Sequence, residues 1–240
     1  MEERMNDQMN TPMSPDPSSD SASFVQVWMK ALTKPNEQTY AEIASSPGAS
    51  PGKAYLWVFL AALVNFLIAI IIQALFSGFG GQSGELQNML GGSMIALICV
   101  VPVLAGLAVL VFMITTGIIQ WVAGLFKGMG TYSQLAYALG AISAPATLIS
   151  SVLSIFAAIP FLGLCLWPVS ILLLLYVAVL NVMAVKGVNK FGWGQAIASY
   201  LLPTVVLFGL CLLPIVVIAV MRLLGPTIGN TFSTIQNSLP

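Results

Sequence analysis

Histidine is absent from the 240 residues. The commonest general base, the commonest metal ligand and the side chain that titrates near neutral pH are therefore all missing. Charge is almost as scarce, with eight basic and eight acidic residues making up 7% of the chain, against roughly 25% in soluble domains. Beyond residue 55 only Glu85, Lys127, Lys186, Lys190 and Arg222 remain. So few charges cannot cover a soluble surface of that length, and the bulk of the chain must face lipid. Cysteine is limited to Cys99, Cys165 and Cys211, each inside an apolar run and without a C-x-x-C pair. That pattern reads as polarizable core filler rather than redox or metal chemistry. The net charge of zero gives no sign of a nucleic-acid partner.

These shortages also exclude the usual reaction centres. Glu85 is the last carboxylate after Glu42, so no acid/base pair forms in the apolar region. The serines there have no histidine or lysine base within their own apolar runs. No phosphate-binding loop of the G-x-x-x-x-G-K-[ST] type occurs, and the glycines between Gly78 and Gly92 read as flexibility. An enzyme is not expected, nor is a cofactor or a metal.

Apolar residues fill 58% of the chain and lie in five long stretches: Leu56–Phe76, Ser93–Phe126, Tyr132–Ile159, Phe161–Val185 and Ala196–Met221. A bilayer core of about 30 Å needs roughly 20 helical residues, so each can span. The expected fold is an all-α polytopic membrane bundle of five transmembrane helices, preceded by short N-terminal amphipathic helices. Residues 1–22, rich in Met, Asn, Pro, Ser and Asp, read as a disordered tail. Residues 23–55 read as two short helices and a turn-rich linker, 56–222 as the membrane domain and 223–240 as a short tail. In the first short helix Phe24, Val27, Trp28 and Ala31 recur on one face. It either rests in the headgroup region or docks on the protein itself. The start is acidic rather than basic, so no signal peptide is expected and the first span directs insertion. The third and fourth stretches meet at Pro160–Gly163 without a charge, which implies a tight hairpin at headgroup level.

Within the spans the polarity is neutral. Asn65, Gln73, Gln120 and Asn181 read as buried polar residues. In the third span Ser133, Ala136, Gly140, Ser143, Thr147, Ser150 and Ser154 share one face. In the second, Cys99, Pro102, Gly106, Gly117, Gln120 and Gly124 do the same. Small and hydroxyl residues in register let helices approach closely, and the expected seam joins the third span to the second through Gly106 and Gly117. On that reading Gly140→Leu overpacks the seam, while Leu139 lies on a more lipid-facing side. A neutral polar conduit remains the other use of such stripes.

The segment Gly130-Thr131-Tyr132-Ser133-Gln134-Leu135-Ala136-Tyr137, followed by Pro145, resembles the central signature of the Yip domain family, the Ypt-interacting proteins. Gly163, Asn181, Gly187-Val188 and Pro203 follow the same course, and Phe24 to Tyr40 is similar to the cytoplasmic lead of prokaryotic-type members. The resemblance covers most of residues 24–221. It implies a multi-pass, non-enzymatic membrane protein with a cytoplasmic N-terminus. Eukaryotic relatives act in vesicle traffic, bind Rab GTPases through that N-terminal part and associate with one another. Their Tyr-Gly-Pro motif ahead of the first span is absent here, where Tyr55-Leu56-Trp57 stands. A membrane organiser or adaptor is the expected function, with the lipid bilayer, a protein docking through residues 23–44, and a second copy as partners. The rival expectation is a transporter or channel for a small neutral solute or lipid, suggested by the prolines Pro145, Pro160, Pro168, Pro203 and Pro214.

Lysine and arginine set the orientation. Arg4, Lys30, Lys34, Lys53, Lys127, Lys186 and Lys190 fall on one side of five spans and Arg222 alone on the other. The expected protein sits in the cell membrane with its N-terminus inside and its C-terminus outside. Reporter fusions at Glu85, Lys127, Lys190 and Pro240 should read outside, inside, inside and outside. An inside signal at Pro240 contradicts the odd number of spans.

Overall fold

The computed structural model describes the backbone of residues 19–80, 94–159 and 161–238 and the side chains of most residues from 24 to 225. Seven helices follow in order: α1 (Ser19–Thr33), α2 (Glu37–Ser45), α3 (Pro51–Gly80), α4 (Met94–Leu125), α5 (Tyr132–Ala157), α6 (Leu162–Asn189) and α7 (Trp193–Ser238). No strand occurs among the described residues. Residues 1–18 of the expected tail at 1–22, the glycine-rich loop around Glu85 and the residue Pro160 lie outside the described residues, while 19–22 are helical and not part of a disordered tail.

Local chemistry fixes the helix ends. Asn36 caps α2 by accepting from the Gln38 N–H at 3.3 Å. Thr131 and Gln134 form a reciprocal capping box at the start of α5. Lys190 closes α6 in the left-handed conformation, with φ 56°. The α5–α6 hairpin is as tight as its sequence implies: a Cβ on Gly163 would stand 2.5 Å from the Ala157 carbonyl oxygen, so only glycine fits there.

α3, α4, α5 and α6 are each long and apolar enough to cross a membrane. The fifth apolar stretch lies in α7, whose described apolar segment, Leu212–Gly225, is shorter; several side chains just before it are outside the described residues. α7 also continues helical past residue 222 to Ser238, and α1 begins four residues before the expected Ser23. The neighbours form a ring in the order α3, α4, α7, α6, α5, which closes where α5 packs on α3. The short helices join at one end, α1 against α5 and α2 against both α5 and α6. This end carries Lys53, Lys127, Lys186 and Lys190, and is called the Lys-rich end below.

The core sits there too. α5 is buried on all sides from Leu135 to Ile142, and Ala136, Ala138, Gly140, Ala141 and Ala144 keep it thin enough for several neighbours. A Cβ on Gly140 would come 2.6 Å from Ala54 Cβ of α3. The seam of the third span is therefore made with the first span, not the second. A Cβ on Gly106 meets nothing within 4 Å, and one on Gly117 reaches only the Tyr132 ring, at 3.8 Å. Cys99, Pro102, Gly106 and Gly124 are exposed, and α4 turns Val101, Ala105, Thr116, Ile119 and Ala123 inward instead. The third-span stripe also drifts: Ser150 and Ser154 are exposed, whereas Ser151 is buried and accepts from Asn65 Nδ2 at 2.8 Å. Leu139 is in the core, not lipid-facing. Gln73 is exposed rather than buried.

These contacts set the expected outcomes of two substitutions. Gly140→Leu forces a side chain into Ala54 and should cost about 1–3 kcal/mol. Leu139→Ala empties a filled core position and should cost about 2–5 kcal/mol. Val152→Ala, on an exposed face, should change little. Thermal stability of the three variants in detergent checks the order.

Candidate functional site

The residues that the sequence singled out around Gly130 come together at the Lys-rich end, where the α4–α5 loop lies on the last turn of α6. Gln120 Nε2 donates to the Gly130 carbonyl at 2.6 Å and to Asn189 Oδ1 at 3.1 Å. Asn189 Nδ2 donates to the Val185 carbonyl at 3.0 Å, and the Asn189 carbonyl accepts from the Met129 N–H at 3.2 Å. A Cβ on Gly130 would lie 2.7 Å from Val188 Cγ1, so the loop reaches α6 only as bare backbone. Asn189 is 1% exposed; its side-chain amide ties α4 to α6, and its main-chain carbonyl holds the loop. In a dry contact of this kind each made hydrogen bond is a firm tie; Gln120 Oε1, buried beside them, finds no protein partner among the described residues.

Tyr132 and Tyr137 extend the junction along α5. The Tyr132 hydroxyl pairs with the Tyr55 hydroxyl of α3 at 2.8 Å and donates to the Met113 carbonyl of α4 at 3.3 Å. The Tyr137 ring lies 5.1 Å from Trp57, which meets Trp28 of α1 edge-on at 5.9 Å. Pro145 is buried about two turns further on, and the Thr147 hydroxyl donates to the Ser143 carbonyl at 2.8 Å beside it. Gly163 lies at the opposite end, in the hairpin, and the buried Pro203 lies in α7. Asn181 reaches the Tyr200 hydroxyl of α7 at 3.3 Å, while its Oδ1 and the Ser199 hydroxyl find no protein partner among the described residues.

Below this junction α2 is clamped to the bundle. Glu37 forms an ion pair with Lys186, whose ammonium also lies 4.5 Å from the centre of the Trp193 ring. Gly187 permits the contact, because a Cβ there would collide with the Glu37 carbonyl oxygen. Tyr40 is fully buried and donates to the Ala31 carbonyl at 2.7 Å, tying α2 to α1. Burial pushes its phenol well above the usual range, and nearby Tyr176 adds to the shift. On the outer side Lys30 lies 2.6 Å from Glu42 and holds that carboxyl below its ordinary value, chiefly by hydrogen bonding. This tie exists at neutral pH and is lost as acid protonates the group. Between α2 and the end of α6 run two adjoining grooves of about 350 and 480 Å³, which share Gln38, Ala41, Gly187 and Lys190.

The arrangement binds surfaces together and presents a groove. Both of its carboxylates, Glu37 and Glu42, are committed to lysines. Among the described residues no cluster of three possible metal ligands occurs. Asn189, Gly128 (where a Cβ would stand 2.6 Å from Asn189 Oδ1) and the Glu37–Lys186 pair are not singled out by sequence reasoning. The only signal for Asn189 is its place one residue before Lys190, where a charged helix end reads as a solvated loop.

A model of the Yip1 domain matches residues 29–221. The chain belongs to the Yip1 domain family. No curated protein and no solved structure matches it. As a Yip1 domain protein it is a multi-pass membrane protein, and the matched region runs from α1 into α7, with the loop–α6 junction near its middle.

The junction yields a specific expectation. Asn189→Ala removes the side-chain bonds to Gln120 and to the Val185 carbonyl, keeps the main-chain bond to the loop, and should cost about 1–3 kcal/mol in detergent. Gly187→Val should instead lift α2 alone, with little effect on the spans. Limited proteolysis that cuts between α2 and α3 faster in the Gly187 variant than in the parent checks the second outcome. Equal cutting overturns the clamp.

Proposed function

We propose that this chain is a non-enzymatic membrane organiser or adaptor that holds a partner protein at the cytoplasmic side of the cell membrane. The observation that carries this reading is the groove between α2 and α6, built on helices that are fastened to the bundle. A surface held in this way binds with little ordering cost, because its two walls cannot move apart freely. Gln38, Ala41 and Glu42 of α2 supply one wall and Lys190 with Phe191 the other, so residues 37–45 are the part of the N-terminal lead offered to a partner. The hydroxyls of Thr147, Ser151 and Ser154 all donate to carbonyls of their own helix, which supports packing as their use rather than a solute path.

A photocrosslinking residue at position 38, introduced at native expression level, should give one defined adduct in whole membranes. The adduct should be lost in Lys190→Glu and absent for a crosslinker at the exposed position 164 of α6. No adduct at position 38, together with solute or lipid flux above protein-free controls in reconstituted liposomes, would replace this reading with a transporter.

A further inference from the structure

We infer that α1 is an in-plane membrane anchor, with its Phe24, Val25 and Met29 side immersed in the lipid leaflet at the Lys-rich end. This inference is independent of the adaptor reading, since it concerns α1 and lipid rather than α2 and a protein.

The helix has three sides. Val27 and Ala31 face the protein, and Ala31 is completely buried. Gln26, Lys30 and Thr33 form a polar side, from which Lys30 reaches Glu42. Trp28 and Leu32 are partly buried against the core as well, which leaves Phe24, Val25 and Met29 on the remaining arc. Phe24, Val25 and Met29 are 37, 48 and 56% exposed. A helix with a polar side and an uncovered apolar arc suits the boundary between headgroups and acyl chains.

The height of α1 along the bundle decides what covers that arc. α6 has 28 residues and is about 42 Å long at 1.5 Å per residue. A hydrocarbon core of about 30 Å leaves roughly eight of its residues outside. With the hairpin at the opposite surface, these are the residues at the Lys-rich end, where Lys186 pairs with Glu37. Tyr176 lies thirteen positions before Asn189, about five residues inside the boundary. Its hydroxyl donates to the Leu32 carbonyl, at the last turn of α1. Helical side chains lean toward the helix N-terminus, which for α6 is away from the Lys-rich end, so Leu32 is not carried back toward water by the reach of the ring. The other end of α1 lies close to the boundary, on its headgroup side. Trp28 meets Trp57 at 5.9 Å, and Trp57 lies six residues into α3, about 9 Å along it. The exposed Leu56 and Leu60 beside Trp57 belong to the lipid-facing wall of a spanning helix, so the apolar arc of α1 continues a surface that lipid already covers.

Depth-dependent fluorescence quenching tests the anchor. Cys99, Cys165 and Cys211 are replaced by serine, and single cysteines are introduced as Met29→Cys, Val25→Cys and Gln26→Cys. Each is labelled with an environment-sensitive fluorophore and reconstituted in phosphatidylcholine–phosphatidylglycerol vesicles. Labels at positions 25 and 29 should lose fluorescence with lipids doxyl-labelled near the headgroup and resist aqueous iodide. The label at position 26 should show the reverse, and this internal contrast does not depend on how any one variant folds. Iodide quenching at position 29 equal to that at position 26 overturns the anchor in favour of a free water-facing helix. Shielding of positions 25 and 29 from both quenchers overturns it in favour of a protein neighbour, which crosslinking between differently tagged copies would identify as a second copy.

Discussion

The close approach of α5 to its neighbours at the Lys-rich end is the constraint on which the other contacts rest. Gly140 against Ala54 brings α3 and α5 to backbone contact. That approach places Tyr55 within hydrogen-bond reach of Tyr132 and Trp57 against Tyr137. The same two helices then offer α1 its docking surface through Trp57. A larger residue at 140 would separate these pairs together, because they share a single interhelical distance.

Polar ties hold the junction where the helices leave lipid. The Asn189 side chain and main chain bind Gln120, the Met129 N–H and the Val185 carbonyl. Water competes weakly for such buried bonds, so a few of them fix the loop and the helix ends in one arrangement. The clamp on α2 adds charge: Lys186 stands between Glu37 and the Trp193 ring, and so couples the N-terminal lead to the start of α7. The groove inherits its geometry from these ties.

Much of this architecture was legible in the residues. Apolar runs of spanning length, the Pro35–Asn36 start of α2, and the Thr131–Gln134 entry to α5 mark their helices directly. The Gly130, Tyr132 and Tyr137 spacing pointed to the region where the junction forms. Partner identity was not legible, because small residues say that a face packs without saying against what. Hence the stripes point to a seam between the third span and α4, although Gly140 meets Ala54, and Gly106 and Gly124 of α4 are exposed. Periodicity alone could not separate Ser150 from Ser151, since a drift of one position moves a side chain by about 100°. Asn189 was invisible for a different reason: its role depends on a loop folding back from more than fifty residues earlier in the chain.

The uneven packing of the bundle follows from where water is. Within hydrocarbon, apolar surface gains nothing by leaving lipid, and helices associate through dispersion and hydrogen bonds alone. The far parts of α6 accordingly keep Leu164, Trp167, Leu172 and Leu174 exposed. At the Lys-rich end the helices outlast the bilayer core, and there the hydrophobic effect operates as it does in a soluble protein. Ala184, Val185 and Val188 of α6 join Tyr40, Ile43 and Ala44 of α2 in one buried cluster, which continues toward the boundary through Leu180 and Ala31. The short helix α2, which could not bury its apolar face alone, thus completes a water-driven core on top of a lipid-solvated bundle, with α1 beside it at the boundary. The N-terminal lead is accordingly part of the folded domain, and its outer surfaces are free to meet whatever lies beside the membrane.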